Sequence, residues 1–333
     1  MKVLFLTLHD FSDIKEQNIY TDLVREFAHE KHDVYIISPV EKKKKIKTRL
    51  IETDGVHILK LKIGNVQKTN IIEKGISTLS LESRFKKAIK RYFSNIKFDL
   101  VLYSTPPITL QSAIEYVSKR DSAKTYLLLK DIFPQNALDL GLLKTRGLKG
   151  LIYQYFKMKE QKLYEVSDFI GCMSEANVNF LKRNNEHLKS IIEVCPNTIT
   201  PVEYIESLAL NRSIRVKYEI PLNHTVFIYG GNLGKPQGID FLLKCIESNE
   251  MRTNTYFLIV GTGTEYHRIK SFFDAHKPQN SKLIDFIPKD EYEKLVKACN
   301  VGLIFLDPRF TIPNFPSRLL SYMQSGMPVI AAT

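Results

Sequence analysis

The sequence predicts an α/β protein built from two consecutive doubly wound domains, and three observations support this fold class. Short apolar runs alternate with amphipathic helical runs along most of the chain, which is typical of a parallel sheet covered by helices. The alternation stops at a proline-bearing stretch and then restarts. The length of 333 residues also fits two domains of ordinary size better than one.

The first half of the chain supplies the first set of alternating elements. The predicted strands, each a short apolar run, cover residues 2–8, 33–38, 57–62, 100–104, 124–129, 169–173 and 191–195. The predicted helices between them, each with an apolar stripe at helical spacing, cover residues 19–30, 81–94, 109–119 and 148–166. We therefore expect a first domain over residues 1–200 and a linker region over residues 201–222.

The second half repeats the pattern in a shorter form. Its predicted strands cover residues 225–229, 256–260, 284–287 and 301–306, with a last strand from residue 328, and its predicted helices cover residues 238–248, 265–275, 289–298 and 317–325. We expect residues 223–333 to form the second domain. Because a complete domain of this kind would cover its last strand with further helix, we expect this domain to be incomplete in the sequence.

Composition narrows the class of protein. The chain is 44% hydrophobic and 25% charged, and no apolar run approaches the roughly 20 residues of a membrane-spanning helix. The apolar N-terminus lacks a cleavage site, so it is predicted to be a buried strand rather than a signal peptide. The cysteines show neither CxxC nor Cys/His spacing, so no zinc site or disulfide framework is predicted, and we expect reduced thiols in a cytoplasmic protein. They are Cys172, Cys195, Cys245 and Cys299.

The net charge of +12 predicts an anionic partner. Charge alone does not distinguish nucleic acid, anionic lipid and a phosphorylated substrate. Residues 81–94 and 148–162 mix aromatic and cationic side chains, a pattern typical of helices that lie on an anionic membrane surface. The alternative is that each helix packs one face in the core and leaves its lysines solvated.

Two glycine-rich stretches follow predicted strands in the second half. In YGGNLGKPQG, residues 229–238, glycines permit close approach of an anion, the following helix offers free N–H groups, and Lys235 adds a point charge. The second stretch is VGTGTE, residues 260–265. The alternative for each is a tight turn without a ligand.

A third stretch, IPNFPSRLLSYMQSGMPVI, covers residues 312–330. Ser317 is predicted to cap the helix that follows. Arg318 lies in the first turn of that helix, where a cation is unfavourable beside the positive end of the dipole unless an anion is present. This placement favours a diphosphate there, and an ordinary capped helix with a solvated arginine is the alternative.

In order and spacing, these three stretches resemble the donor-binding half of family 4 glycosyltransferases. The similarity is greatest to the bacterial surface and capsular polysaccharide branch, which carries a GNLG…QG loop, a VGxG turn and a PS(K/R)L…GxPVIA segment. The first half resembles further family motifs at KDIFP (residues 130–134), STPP (104–107), GCMS (171–174) and PN (196–197). The resemblance covers nearly the whole chain and implies the GT-B fold, in which two Rossmann-like domains face a cleft.

The resemblance also implies a function. It is the transfer of a sugar from a nucleoside-diphosphate sugar, expected to be UDP-linked, to a polyprenyl-phosphate-linked saccharide in surface polysaccharide synthesis, with retention and without a metal ion. No cofactor and no nucleic-acid partner are implied, and the expected location is cytoplasmic, peripheral on the anionic inner face of the cell membrane.

Site residues follow from the matching motif positions. The diphosphate-binding residues would be Gly231, Asn232, Gly234, Lys235, Ser317 and Arg318. Ile287 and Ser321 would lie near the nucleoside, and Asp131 would be the catalytic residue across the cleft. An N-cap role is the alternative for Asp131.

The chain departs from the family pattern at several positions. The usual arginine and lysine of the first loop correspond to Asn232 and Gln237, and the usual histidine before the aspartate corresponds to Lys130. The paired glutamates correspond to Pro313 and Ser321. The sequence contains no DxD pair in a suitable strand context, so no metal-bound diphosphate is predicted. A GT-B nucleotide-sugar epimerase, a non-catalytic homologue and a basic nucleic-acid-binding protein therefore stay as alternatives, the last without any recognisable motif.

Overall fold

The computed structural model describes residues 1–66, 71–202 and 207–332, apart from the side chains of residues 71, 72 and 74–76. The chain divides into two compact units, of which unit 1 comprises Met1–Thr200 with Ile312–Asn314 and unit 2 comprises Pro201–Thr311 with Phe315–Thr333. Residues 203–206 of the predicted linker and residue 333 of the last predicted strand lie outside the described residues. Each unit is built around one sheet with helices, so the predicted α/β class is confirmed.

Unit 1 contains an eight-stranded sheet. Its strands are β1 (Lys2–Leu6), β2 (Asp33–Glu41), β3 (Arg49–Thr53), β4 (Val56–Ile63), β5 (Leu100–Ser104), β6 (Lys124–Leu129), β7 (Phe169–Cys172) and β8 (Ile191–Val194). Its helices are α1 (Ile19–His29), α2 (Ile71–Tyr92), α3 (Gln111–Asp121), α4 (Gln135–Asp139), α5 (Gly147–Glu165) and α6 (Glu175–Asn184). The strand order is β3-β4-β2-β1-β5-β6-β7-β8, and every pairing is parallel except that of β3 with β4.

The centre of this sheet is buried on both faces, as a parallel sheet requires. Val3, Leu4, Phe5 and Leu6 of β1 are all fully buried, which explains why the sequence shows a continuous apolar run there. The strand order reverses between β1 and β5, and ligands of such sheets bind at the carboxyl ends of the strands beside this switch point. The residues that follow β1, β5 and β6 are therefore the candidates for a site in unit 1.

Two features of unit 1 differ from the prediction. Asp54 and Gly55, with φ of +48° and +76°, form a tight turn that joins β3 to β4 in an antiparallel hairpin, and β3 had not been predicted. The predicted helix 81–94 is the second half of a longer α2, which ends at Tyr92. Phe85 and Ile89 of this helix are completely buried, and so is Phe93, which follows it. The side chains of Phe85 and Phe93 therefore pack in the core, in agreement with the alternative that this helix packs one face in the core.

Unit 2 contains a five-stranded sheet whose pairings are all parallel. Its strands are β9 (Thr225–Asn232), β10 (Thr255–Thr262), β11 (Ser281–Ile284), β12 (Val301–Phe305) and β13 (Val329–Ala332). Its helices are α7 (Leu208–Lys217), α8 (Ile239–Ser248), α9 (Tyr266–His276), α10 (Lys289–Lys297) and α11 (Arg318–Gln324). The order β11-β10-β9-β12-β13 reverses between β9 and β12, which places the switch point of this unit there.

Two elements of unit 2 also differ from the prediction. The strand expected over residues 284–287 is β11, which ends at Ile284 because its register with β10 runs from Ser281 to Ile284 and the following Asp285 and Phe286 are exposed. The predicted linker region contains α7, which is fastened to unit 2 because Arg215 donates to the backbone oxygens of Ala298 at 2.7 Å and His224 at 3.1 Å.

None of the helices in the described part of the chain is long and apolar enough to cross a lipid bilayer.

Candidate functional site

The two glycine stretches of unit 2 form one paired structure at the carboxyl ends of β9 and β10. The register of these strands continues to the pairs Gly231–Gly261 and Asn232–Thr262. Beyond it, the backbone N–H of Leu233 donates to the Thr262 oxygen at 2.8 Å, and that of Glu265 donates to the Leu233 oxygen at 2.9 Å. We call residues 229–238 the glycine loop. The second stretch, residues 260–265, supports this loop through these backbone hydrogen bonds.

Glycine is required at the contact between the two stretches. A Cβ atom added at Gly261 would lie 1.9 Å from the Gly231 oxygen, and one added at Gly263 would lie 2.3 Å from the backbone of Leu233. Both partners are backbone atoms, which cannot move aside as a flexible side chain can. VGTGTE is therefore a structural support whose glycines allow the loop above it to sit this close.

The glycine loop is also fastened to the segment that follows β12. The N–H of Asp307 donates to the Pro236 oxygen at 3.0 Å, and a Cβ at Gly238, whose φ is +58°, would lie 3.0 Å from the Leu306 oxygen. The loop therefore sits at the switch point between β9 and β12, where this fold class binds its ligands.

Arg318 reaches back from α11 onto the glycine loop. Its guanidinium lies over the ring of the buried Tyr229, 4.4 Å from the ring centroid, as in a cation–π contact. Its Nη2 donates to the backbone oxygen of Asn232 at 3.3 Å and to the side-chain oxygen of Gln237. The structure thus brings together Arg318 and the loop, which the sequence had placed 81 to 86 residues apart.

One nitrogen of this guanidinium is left without an acceptor. Nη1 of Arg318 is buried and has no hydrogen-bond partner within the described ranges. A buried donor without a partner costs on the order of 1–3 kcal/mol, and more when it is charged. Nη1 is shielded from solvent here, so an anion at the glycine loop would accept from it only after the guanidinium turns. With its positive charge and an unused donor, Arg318 is chemically suited to phosphate oxygens at this position.

The remaining predicted diphosphate residues lie at or beside this loop. Gly231 is exposed with φ of +105°, Gly234 is buried, and the amide of Asn232 folds toward Gly234. Lys235 is exposed, and its amine has no partner in the part of the chain that the structure describes.

The predicted capping role of Ser317 is wrong. Ser317 has helical angles, φ −61° and ψ −24°, and its side chain makes no capping hydrogen bond. An N-cap residue needs an extended backbone for its oxygen to reach the free N–H groups of the first turn. Here the Leu320 N–H instead bonds the Ser317 backbone oxygen at 3.1 Å, which tightens the turn and leaves the exposed hydroxyl of Ser317 outside it.

The two predicted nucleoside residues lie apart from the loop contacts. Ile287 is half-buried and packs against the core cluster that also holds Tyr292 and Leu319. It follows β11 by three residues rather than ending that strand, as the sequence had suggested. Ser321 is half-buried in α11, and its backbone oxygen accepts a hydrogen bond from the Ser325 hydroxyl at 2.9 Å.

Asp131 of unit 1 follows β6 and is held by a residue that follows β5. The N–H groups of Lys130 and Asp131 both donate to the hydroxyl oxygen of Thr105, at 3.0 and 3.1 Å. The carboxylate accepts a hydrogen bond from the Asn136 amide at 2.7 Å. Burial raises the pKa of Asp131 to about 6, and the bond from Asn136 opposes this shift. The buried Thr105 was not identified from the sequence, although its STPP motif was.

Lys130 and His9 also lie at the carboxyl edge of the sheet in unit 1, after β6 and β1. The amine of Lys130 donates to the Asn197 side chain and lies 5.5 Å from the ring centroid of Tyr20, and burial lowers its pKa to about 8. The ring of His9 packs against the same tyrosine at 5.3 Å, and burial lowers its pKa as well. Its Nε2 is buried and without a hydrogen-bond partner among the described residues. Several shifted pKa values at one sheet edge are typical of a reactive site.

Comparisons with known proteins find similarity to glycosyltransferases. Residues 210–333, which contain the glycine loop and Arg318, match the family model described as Glycosyl transferases group 1. The chain is 23% identical over 274 residues to the probable glycosyltransferase WbjE of Pseudomonas aeruginosa, which covers 79% of this chain and 64% of that protein. It is 22% identical over 209 residues to the putative colanic acid biosynthesis glycosyl transferase WcaI of Escherichia coli K12, which covers 62% of this chain and 49% of that protein.

The chain therefore spans less than two thirds of the length of either relative. Its fold is similar to that of HepE from Anabaena, solved in complex with UDP-glucose, with a TM-score of 0.62 and 14% identity over 99% of this chain and 80% of that chain. Together these similarities identify residues 210–333 as a Glycosyl transferases group 1 domain and the fold of the chain as GT-B.

Proposed function

We propose that the protein is a glycosyltransferase that takes its sugar from a nucleoside-diphosphate donor. The observation that carries this proposal is the Arg318 guanidinium, which is oriented onto the glycine loop with one buried N–H group unsatisfied. It lies within the segment that matches a glycosyltransferase family. The proposed nucleotide is UDP, because HepE, a structural neighbour, was solved with UDP-glucose.

The loop would stabilise the departing diphosphate by charge and hydrogen bonding. Arg318 and Lys235 supply two cations, and the backbone around Gly231 and Gly234 permits close approach of the phosphates. Donors aimed at developing negative charge are commonly the largest single contribution to catalysis. We propose that these groups serve in place of a metal ion and that transfer proceeds with retention.

Asp131 is the proposed catalytic residue of unit 1. With a pKa of about 6 it is mostly ionised at neutral pH, yet buried enough to interact strongly with positive charge. It would stabilise the charge that develops on the transferred sugar, or accept the proton of the acceptor hydroxyl.

The proposed acceptor is a polyprenyl-phosphate-linked saccharide in surface polysaccharide synthesis, as in the capsular and O-antigen branch of family 4. One relative supports this context by its description, since WcaI is described as a putative colanic acid biosynthesis glycosyl transferase. An acceptor of this kind would require the protein to work from the cytoplasm at the inner face of the cell membrane.

Calorimetric titration with UDP and UMP tests the donor site. Arg318→Ala and Lys235→Ala should each weaken UDP binding about 10- to 150-fold, because each removes a charge-assisted contact of about 1.5–3 kcal/mol to the diphosphate. UMP affinity should change less, and circular dichroism should show an intact fold. Lys244→Ala, at an exposed lysine of α8, is the matched control. Unchanged UDP affinity in both variants would exclude the proposed site.

A further inference from the structure

The first half of α5 and the loop before it expose an unusual set of large apolar side chains. Leu148 is 82% exposed, Leu151 70%, Ile152 47% and Met158 42%, and Leu142 in the preceding loop is 48% exposed. In a helix, residues 148, 151 and 152 lie on one face, and residue 158 continues it after two further turns. The apolar stripe of α5 therefore faces outward, whereas an ordinary surface helix turns its stripe toward the core.

The face of α5 that packs into unit 1 is formed by other residues. Leu163 and Tyr164 are fully buried, and Glu160 is buried with its carboxylate accepting from the Tyr164 hydroxyl at 2.9 Å. Gly150 is buried against the loop, since a Cβ there would lie 2.7 Å from the Thr145 oxygen. Residues 142–146 are thus held beside the first turns of α5, next to the exposed stripe.

The charged side chains within residues 140–159 are all positive. Residues 140–159 contain Lys144, Arg146, Lys149, Lys157 and Lys159 and no aspartate or glutamate. Two of these lysines have structural partners, because Lys157 pairs with Glu160 at 2.5 Å and Lys159 pairs with Glu82 at 2.9 Å. Lys144, Arg146 and Lys149 are exposed and form no ion pair within the described residues.

We propose that residues 142–152, with Met158, form a docking surface for an anionic lipid bilayer. The stripe would enter the boundary between headgroups and acyl chains, and the three unpaired cations would contact the headgroups. A second copy of the chain fits this surface poorly, because two such surfaces would bring like charges together. The proposal extends the lipid-linked acceptor of the proposed function, and it assigns docking to α5 rather than to α2, since Phe85 of α2 and the adjacent Phe93 are buried.

Co-sedimentation with vesicles of phosphatidylglycerol and phosphatidylcholine, compared with phosphatidylcholine alone, tests the surface. The protein should bind the anionic vesicles, and binding should fall at 1 M salt, where the Debye length shrinks to about 3 Å. The variant K144E/R146E/K149E should bind on the order of 100-fold more weakly, because each cation near such a surface contributes about fivefold. Leu148→Ser with Leu151→Ser should lose about tenfold or more through the apolar contribution.

Matched controls separate this surface from general charge and hydrophobicity. K244E/R252E/K277E reverses three exposed cations of unit 2, and Leu208→Ser with Met251→Ser removes two strongly exposed apolar side chains elsewhere. Both controls should bind vesicles like the parent. Calorimetry with UDP on the docking variants should give unchanged affinity, so that a failure of docking is distinguishable from a failure of the donor site.

Three results would overturn the proposal. They are equal binding to neutral and anionic vesicles, no binding to either, and losses in the controls as large as those in the docking variants. A lipid-free dimer that dissociates in the Leu148→Ser and Leu151→Ser variant would instead assign the stripe to contact between copies of the chain.

Discussion

Arg318 is oriented by three neighbours, none of which is an acidic side chain. The ring of Tyr229 lies beneath the guanidinium, and the oxygens of Asn232 and Gln237 accept from its Nη2. Gln237 occupies the position of a lysine in the family pattern, and an amide oxygen can accept from a guanidinium where a lysine would repel it. A glutamine at this position is thus compatible with the orientation of Arg318 onto the loop.

Gln237→Ala should therefore weaken UDP binding although Gln237 carries no charge. Without the amide, Arg318 must give up conformational freedom on binding, and we expect a loss of about three- to tenfold, the size of an ordinary hydrogen bond. Calorimetry gives the affinity, and Gln279→Ala, at an exposed glutamine outside the loop, is the control. An affinity equal to the parent's would show that Tyr229 and Asn232 suffice to orient Arg318.

Asp131 should make the protein less stable as pH rises. Its pKa is raised by burial from an ordinary 3.8 to about 6, so folding favours the neutral acid. The stabilising contribution is complete below the ordinary value and is lost as pH rises through about 6. Asp131→Asn stays neutral, so its free energy of unfolding should exceed that of the parent by about 1–3 kcal/mol at pH 8, since one pKa unit corresponds to about 1.4 kcal/mol.

Urea denaturation at pH 4 and pH 8 measures this difference. The two proteins should be nearly equal in stability at pH 4, because residue 131 is then largely neutral in both folded proteins and ionisation of the unfolded parent contributes less than about 1 kcal/mol. A variant that is less stable than the parent at pH 8 would show that the carboxylate is favourably solvated in the folded state.

At the scale of the elements, a substitution at Gly263 tests whether the VGTGTE stretch supports the glycine loop. Gly263→Ala places a Cβ 2.3 Å from the backbone of Leu233, and relieving this overlap must displace the loop. We expect a loss of about 2–3 kcal/mol in the free energy of unfolding, as for an overpacked site, together with weaker UDP binding. Gly55→Ala, in open space at φ of +76°, should cost only about 1–2 kcal/mol and leave UDP binding unchanged.

Thermal denaturation and calorimetry on the two variants check this prediction. Equal effects of both substitutions on UDP affinity would indicate general instability rather than displacement of the loop.

The elements that the sequence predicts best are those with continuous apolar runs between glycine turns. β1 and β9 are examples, because burial on both faces leaves little ambiguity about the structure. The β3–β4 hairpin was missed although Asp54-Gly55 is a strong turn signal, because the residues before it do not alternate cleanly. The strand expected over 284–287 was shifted because apolar residues continue beyond the point where β10 can pair with them.

The candidate site was predictable in position but not in orientation. Glycines before a helix mark where a backbone approaches an anion, and that pattern is local in sequence. The direction of the Arg318 side chain depends on Tyr229 and Gln237, which lie more than 80 residues away in the sequence. The bonds from Lys130 and Asp131 to Thr105 also join distant segments.

At the scale of the whole molecule, the proposed chemistry is divided between the two units. Arg318 and Lys235 belong to unit 2 and Asp131 belongs to unit 1, each at the carboxyl edge of its sheet. This division predicts separable effects. Arg318→Ala should mainly weaken donor binding, whereas Asp131→Asn should leave UDP affinity within about twofold and lower turnover at least about 100-fold, as for a group that acts in the transition state.

In the double variant, the two losses should multiply, since the groups act on different steps. Steady-state kinetics with a labelled donor, together with UDP calorimetry, measures both quantities. If Asp131→Asn weakens UDP binding as much as Arg318→Ala does, the division of tasks between the units is incorrect.

The contact between Arg318 and Tyr229 also gives the protein an internal optical probe. The chain has 16 tyrosines and no tryptophan, so tyrosine dominates its near-ultraviolet spectrum. Burial raises the pKa of Tyr229, which keeps its ring a neutral phenol at neutral pH. A guanidinium 4.4 Å from that ring should shift its electronic transition, and the shift should change if the cation turns toward a bound phosphate. We therefore expect occupation of the loop by pyrophosphate, which is transparent at these wavelengths, to be visible by difference absorption without a label, and Tyr229→Phe should remove the signal.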